Sequence, residues 1–414
     1  MTKRLGFLRT ATAIAAVTLT AFPALAEEIT WWTPNWGEAR AQELASQFEA
    51  ANPDVTIRLE ITVSNGLQNR IMTALRSGSP PDLIDSSMQW IAPFAATGKL
   101  LPLDDFAENS TIDMDDLLAA SVGYSSYEGQ LYGLPYRSQT LAMIYNKGLY
   151  REAGLDPENP PQTWDELIEA SKALTRTNAD GQPQYGMGVS GGGEVSNLVT
   201  RLVPFIWMNG GDVLSEDGNT AILNSPEAVE AVEFYTDMLT VHKVAPPSTL
   251  QNDGTALRRL FATETIAQYF SGQFDLPALA AEAPDIEIGV TPFPHPEGKE
   301  TAGMLAGWAF LVPSDSPRTE TTLRFVEFLM QPENQGFYTD TFPASQSAMS
   351  LPRFQDPLLE PFKEALTFAR PASNHPVWIQ ASQSIFNHVQ EVLLGTATAQ
   401  QAMDAAAAEI QALL

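Results

Sequence analysis

ITWWTPNWGEARAQELASQFEAANPDVTIRLEITVSNGLQNRIMTALRSGSPPDLID, residues 29–85, changes periodicity four times in a fixed order. Ile29 to Trp32 is an apolar run of strand length, and Glu38 to Ala51 sets Ala41, Leu44, Ala45 and Phe48 at the spacing of one helix face. Val55 to Val63 alternates apolar and polar residues as a half-buried strand does. Leu67 to Leu75 returns to helical spacing, Pro80-Pro81 turns the chain, and Asp82 to Asp85 is a short strand. A β-α-β-α-β order needs crossover connections, so this stretch predicts a mostly parallel sheet covered by helices, an α/β domain.

The same grammar recurs downstream. Leu141 to Tyr145 reads as a strand, and Thr163-Trp164-Asp165-Glu166 is a capping box whose Thr and Glu side chains would satisfy free amides at a helix start. Ser225-Pro226-Glu227 and Ser316-Pro317 read as two more helix starts, with Ser as N-cap and Pro at the first helical position. Ala397 to Leu413 reads as a terminal helix.

The N-terminus carries Lys3, Arg4 and Arg9, then an apolar stretch from Thr12 to Leu25 and the small-residue pattern Ala24-Leu25-Ala26. This is the form of an export signal, too short to span a bilayer, and predicts a mature chain starting near Glu27. No cysteine occurs, which excludes a lipid-modified N-terminal cysteine, disulfides, thiolate metal sites and cysteine nucleophiles. A free periplasmic protein is the expected location. Removing residues 1–26 leaves 414 − 26 = 388 residues and takes the formal charge from −27 to −27 − 3 = −30. That length allows two domains. So acidic a surface disfavours nucleic acid and anionic lipid, whose phosphates are bound by clustered Lys and Arg.

Several segments stand in a fixed order. They are Ile29-Thr30-Trp31-Trp32 with Phe48-Glu49-Ala50-Ala51-Asn52-Pro53, Pro81-Asp82-Leu83-Ile84-Asp85, and Gly129 to Tyr136 leading to Ile144-Tyr145-Asn146-Lys147. Pro161 to Leu167, Asn209-Gly210-Gly211 and Gly303 to Val312 complete the set. In order and spacing they resemble the extracellular solute-binding proteins of ABC importers, in the sugar-binding group that includes maltose-binding protein. The resemblance implies a two-lobed periplasmic binding-protein fold of the class II type, with a ligand held in a cleft that a hinge closes. By position the chain would leave lobe one near Gln139, return near Phe270 and cross again near Ser314. Residues 27–138 with 271–314 would then form lobe one, and residues 139–270 with 315–414 lobe two. The implied partners are a small-molecule ligand and an inner-membrane ABC permease; a monomer without cofactor is expected.

Sugars offer apolar ring faces edged by hydroxyls, so their sites combine flat aromatic surfaces with fixed polar groups. Such pairs sit at predicted strand ends: Asn35 and Trp36, Ser87 and Gln89, and Tyr136. Trp207 precedes the Asn209-Gly210-Gly211 turn, Gly272, Gln273 and Asp275 follow the strand ending at Phe270, and Gly307-Trp308 opens the next. Arg370 and Trp378 lie in the late loop that, by the resemblance, reaches the cleft from lobe two. Arg370 reads equally as a surface ion pair or an anion clamp. In Ser190-Gly191-Gly192-Gly193-Glu194, consecutive glycines, Gly193 among them, would let backbone amides approach an anion at a helix start; an ordinary strand-to-helix turn is the alternative. Convergence of those amides with Arg370 would favour a phosphorylated, sulfonated or glycerol-linked sugar over a neutral one.

Gly188-Val189-Ser190-Gly191-Gly192 also matches a nucleophile elbow, and His242, His295, His375 and His388 follow it in hydrolase order, which makes a secreted serine hydrolase using Ser190 the distant alternative. Paired acids such as Asp104-Asp105 suit solvated helix starts, and no spacing for zinc, calcium or a nucleotide phosphate occurs. The expectation is therefore capture of a ligand without catalysis, and no metal site.

Overall fold

The computed structural model describes residues 1–2, 26–63 and 66–414. The export-signal reading falls on residues 3–25 and lies outside them. Among the described residues no helix is long and apolar enough to cross a membrane.

The opening stretch folds as its periodicities require. Glu27–Pro34 pairs in parallel with Val55–Thr62 along its whole length and with Leu83–Ser87 on its other side. The helix Glu38–Ala51 crosses between the first two strands and buries Ala41, Leu44, Ala45 and Phe48. Gly303–Leu311 extends this sheet antiparallel to Leu83–Ser87, followed by Leu134–Gln139 and Phe342–Pro343. An antiparallel strand inserted beside a parallel set is how the chain re-enters this lobe after visiting the other.

The second lobe has a smaller sheet in which Ala142–Asn146 lies between Gln268–Ser271 and Ile288–Thr291, antiparallel to both. Tyr185 and Gly188 extend it in parallel beside residues 266–269. Its helices start where the sequence marks them. Thr163 and Glu166 form the reciprocal capping box of Trp164–Leu174, and Ser225 caps Pro226–Thr240 through the Ala228 amide at 3.3 Å. The C-terminal pair Trp378–Leu393 and Ala399–Gln411 packs onto this lobe, the second opening on a Thr398 and Gln401 capping box.

The packing corrects three expectations. Residues 276–291 belong with the second lobe, since Leu279 is buried beside Ala142, Ile144 and Phe261, and Ile288–Thr291 hydrogen-bonds along Ala142–Asn146. Residues 319–338 belong with the first. The helix Thr319–Leu329 turns Phe325, Val326 and Leu329 onto Trp31 and Phe48, with the Trp31 and Phe325 rings edge-to-face at 5.3 Å. Each such side chain stabilises the lobe by roughly 1.5–3 kcal/mol on burial, enough to decide which sheet the helix covers. That helix also starts later than Ser316-Pro317 suggested, because the Ser316 hydroxyl donates to the buried carboxylate of Asp82 at 2.6 Å and is drawn out of the N-cap position.

The chain passes from Leu134–Gln139 to Ala142–Asn146 through Thr140 and Leu141 alone. It returns through residues 292–302 and crosses again beyond Phe342–Pro343. The chain thus crosses between the lobes three times.

Candidate functional site

Directly above those crossings lies a cavity of about 480 Å³ with walls from both lobes. On the first-lobe side Trp36, Trp308 and Trp90 form a continuous aromatic wall. The Trp308 ring meets Trp36 edge-on at 5.6 Å and Trp90 edge-on at 5.9 Å. The backbone explains how Trp308 comes to face the cavity. Trp308 pairs with Arg137 while Ala309 pairs with Pro135, so Tyr136 is an extra residue in its strand. A bulge of this kind re-aims side chains beside a site. Here Arg137 faces the cleft, and Tyr136 stacks in the core on Phe310 at 4.3 Å. Gly307 is required at the cavity floor, because a Cβ would stand 2.1 Å from the Arg137 carbonyl oxygen.

Arg137 is buried and held on several sides. Its guanidinium covers Trp36 at 4.3 Å, donates to Thr341 Oγ1 at 3.0 Å and Gln139 Oε1 at 2.7 Å, and pairs with Asp340 at 3.0 Å. The opposite wall comes from the first turns of the helix Val195–Met208, through Ser196, Asn197, Thr200 and Arg201, and from the start of Gly254–Ala262 with Thr255 and Arg258. Arg201 is buried and donates to the carbonyls of Phe270 at 2.9 Å and Asn197 at 2.8 Å. Burial holds its pKa below the usual guanidinium range.

Asp275 completes this wall. It accepts from Ser271 at 2.6 Å and Tyr269 at 2.9 Å, and stands 3.6 Å from Arg258. Burial raises its pKa against those hydrogen bonds and the two arginines. For Arg258 burial works against the charge, but hydrogen bonding to Glu282 and the field of Asp275 outweigh it and raise the pKa.

A second compartment of about 560 Å³ adjoins the first. Gln89, Trp90, Glu194 and Ser196 line both, and Trp378, Phe386 and Gln383 close its far side.

Of the residues expected at the site, Trp36, Ser87, Gln89, Asp275, Gly307 and Trp308 line the main cavity, and Gly193 and Trp378 line the second compartment. The others lie elsewhere. Asn35 is turned out to solvent by a short 3-10 turn, and Tyr136 is core. Trp207 is eleven residues past Ser196 on the same helix, about 16 Å along its axis, and so sits far from the cleft end. Arg370 lies over the Trp207 ring at 4.0 Å and pairs with Asp212 at 2.6 Å; the ion-pair reading holds and the anion clamp does not form. Gly272 abuts the Phe274 ring, and Gln273 is buried behind the wall with both amide atoms unpartnered.

Two amides of the glycine loop are spent internally, since those of Gly191 and Gly192 both donate to the Asn252 carbonyl, while Gly193 lines the second compartment. Ser190 is buried, and its hydroxyl donates to that carbonyl at 3.2 Å and not to an imidazole, so the elbow is a structural turn. Missed by sequence reasoning were Arg137, Asn197, Arg201, Arg258 and Asp340. Their only local signal is polarity next to strand and helix ends.

The comparisons with known proteins agree with this architecture. Residues 34–336 match the family described as bacterial extracellular solute-binding protein. A binding protein of Brucella abortus (strain 2308) is 27% identical over 384 residues, covering 90% of this chain and 89% of that one. The sn-glycerol-3-phosphate-binding periplasmic protein UgpB of Escherichia coli (strain K12) is 26% identical over 419 residues, covering 91% and 90%. Among solved structures, an ABC transporter solute-binding protein from Thermotoga lettingae bound with alpha-D-tagatose superposes with TM-score 0.84 at 27% identity, covering 94% of this chain and 100% of that one. Maltose-bound T. maritima MalE3 does so with TM-score 0.83 at 23% identity, covering 94% and 100%. With a match over most of its length and a two-lobed fold around an inter-lobe cavity, this chain belongs to the bacterial extracellular solute-binding protein family.

Proposed function

We propose that this protein captures a carbohydrate or sugar derivative in the inter-lobe cleft, in the periplasm, and presents it to an ABC permease. The aromatic wall of Trp36, Trp308 and Trp90 opposite a row of fixed polar groups carries the reading. Flat indole surface suits the apolar face of a sugar ring, and Ser87, Gln89, Asn197 and Thr200 suit its hydroxyl edge. The two-residue connection at Thr140 and Leu141 supports closure by rotation about the crossings. Closure would remove water from both walls, strengthening each hydrogen bond to the ligand. It would also bring cleft-side faces of the two lobes into one surface that a permease can recognise. The tagatose- and maltose-bound structures, and the periplasmic location in the UgpB name, support the ligand class and compartment.

The test is a thermal-shift and calorimetric screen with glucose, maltose, maltotriose, glucosamine, glucose 6-phosphate and sn-glycerol 3-phosphate. A ligand at a hundredfold excess over Kd stabilises the fold by about 2.7 kcal/mol, a visible shift. Stabilisation by sugars is the expected result; a panel with no effect refutes the carbohydrate reading.

A further inference from the structure

Glu194 lies where the compartments of the cleft meet. It lines the main cavity, the second compartment and the small recess formed with Gly193, Asn197, Asp253 and Thr255. Counted over these three spaces, the guanidiniums of Arg137, Arg201 and Arg258 face the carboxylates of Glu194, Asp253, Asp275 and Asp340, so the lining carries 3 − 4 = −1 formal charge. The cations are engaged by the protein itself. Arg137 is paired with Asp340, Arg258 with Glu282 and Asp275, and Arg201 donates to two carbonyls.

The carboxylates differ in the same respect. Asp253 caps the helix Gly254–Ala262 by accepting from the Ala256 amide at 2.8 Å, and Asp275 accepts from Ser271 and Tyr269. Among the described residues the Glu194 side chain has neither an ion pair nor a hydrogen bond. No cation lowers its pKa, which burial and then the nearby Asp253 raise above the usual carboxylate range. Its position before the first turn of Val195–Met208 still favours the ionised form, which the helix dipole stabilises. The cleft therefore presents an unpaired acceptor where its compartments meet, while two of its three guanidiniums, Arg137 and Arg258, are already paired with carboxylates.

We propose that Glu194 sets the charge class of the ligand: its carboxylate accepts hydrogen bonds from a donor group, a hydroxyl pair or an ammonium, and turns away phosphorylated and carboxylated sugars. The inference rests on the carbohydrate-capture reading and deepens it. A donor there gains a charge-assisted bond in a half-enclosed site, while a ligand anion would meet Glu194 and Asp253 in a lining whose carboxylates outnumber its guanidiniums.

The experiment is calorimetry of wild type, Glu194→Gln and Glu194→Ala with maltotriose, deacetylated chitotriose and sn-glycerol 3-phosphate, with circular dichroism melts to confirm that the variants keep the fold. Expected is sugar binding by wild type, a loss of about 10- to 100-fold in both variants, and no binding of the glycerol phosphate. Wild-type affinity also falls as the solution is acidified through the carboxylate range, and Glu194→Gln loses that dependence. The maltotriose and chitotriose arms separate a hydroxyl from an ammonium partner. Sugar binding unchanged in Glu194→Gln, or tight binding of sn-glycerol 3-phosphate, overturns the charge-class inference alone. If wild type binds none of the three and no sugar of the wider panel, the carbohydrate reading falls with it.

Discussion

Replacing Asp85 by Asn should stabilise the protein at alkaline pH and flatten its pH dependence. Asp85 lies on the Leu83–Ser87 strand with 1% of its surface exposed, amid Trp31, Tyr136 and Tyr338. One carboxylate oxygen accepts from the Tyr338 hydroxyl at 2.6 Å, while the other, the Tyr136 hydroxyl and the Trp31 indole N–H all lack a partner. Burial outweighs the hydrogen bonds, that from Tyr338 first, and raises the pKa to about 7. Because the folded pKa stands above the unfolded value, the neutral acid is the form that folding favours. Its stabilisation is complete below the ordinary carboxylate pKa and is lost as pH rises to about 7. The two units between pH 5 and 7, at about 1.4 kcal/mol each, amount to about 3 kcal/mol. Asn keeps an acceptor for Tyr338 and offers N–H groups to Tyr136, without a charge. Chemical denaturation at pH 5 and pH 8 should show wild type losing about 3 kcal/mol more than Asp85→Asn between the two conditions. Equal slopes for the two proteins would refute the argument, since the other titrating groups are common to both.

Truncation of Trp308 to Ala removes the central ring of the aromatic wall and should weaken sugar binding by about 1–3 kcal/mol, read by calorimetry. Arg370→Ala should leave ligand affinity unchanged and cost about 0.5–1 kcal/mol of stability, because the half-exposed side chain is engaged with Trp207 and Asp212 away from the cleft. At His388 burial opposes the charge, but hydrogen bonds with Glu391 and then Glu409 outweigh it and raise the pKa. The contact between the last two helices is therefore firmest below the ordinary histidine pKa and weakens as pH rises through the folded value. His388→Gln should lower Tm at pH 5 and not at pH 8.5.

The first lobe was legible because its units are local. A helix of fourteen residues with its apolar face at Ala41, Leu44, Ala45 and Phe48, set between two strands, has one arrangement that buries that face. Where the lobes divide was not legible in the same way. Leu276–Glu282 buries Leu279 alone and Thr319–Leu329 one apolar face, and nothing within either says which of two sheets it will cover. That choice is made by Phe325 meeting Trp31 and by Leu279 meeting Ala142, contacts between residues far apart in the chain.

The site divides along the same line. Trp36 and Gln89 were found because a residue just past a strand end is carried to the cleft by the sheet itself, whereas Trp308, expected at a strand opening, reaches the cleft from within Gly303–Leu311. Tyr136 obeyed that rule in sequence but went to the core, since a bulge advanced the alternation by one and gave the cleft to Arg137. Arg137 and Arg201 were invisible for a further reason. A buried guanidinium is tolerated only where acceptors surround it, and most of those acceptors, Asp340 and Thr341 for one and the Phe270 carbonyl for the other, come from residues far away in sequence. Arg370 and the amides of Gly191 and Gly192 do not converge as the sequence suggested, because Asp212 and the Asn252 carbonyl engage them instead. A polar group signals a ligand only when the fold leaves it unmatched, which is the ground on which Glu194 is proposed to meet the ligand.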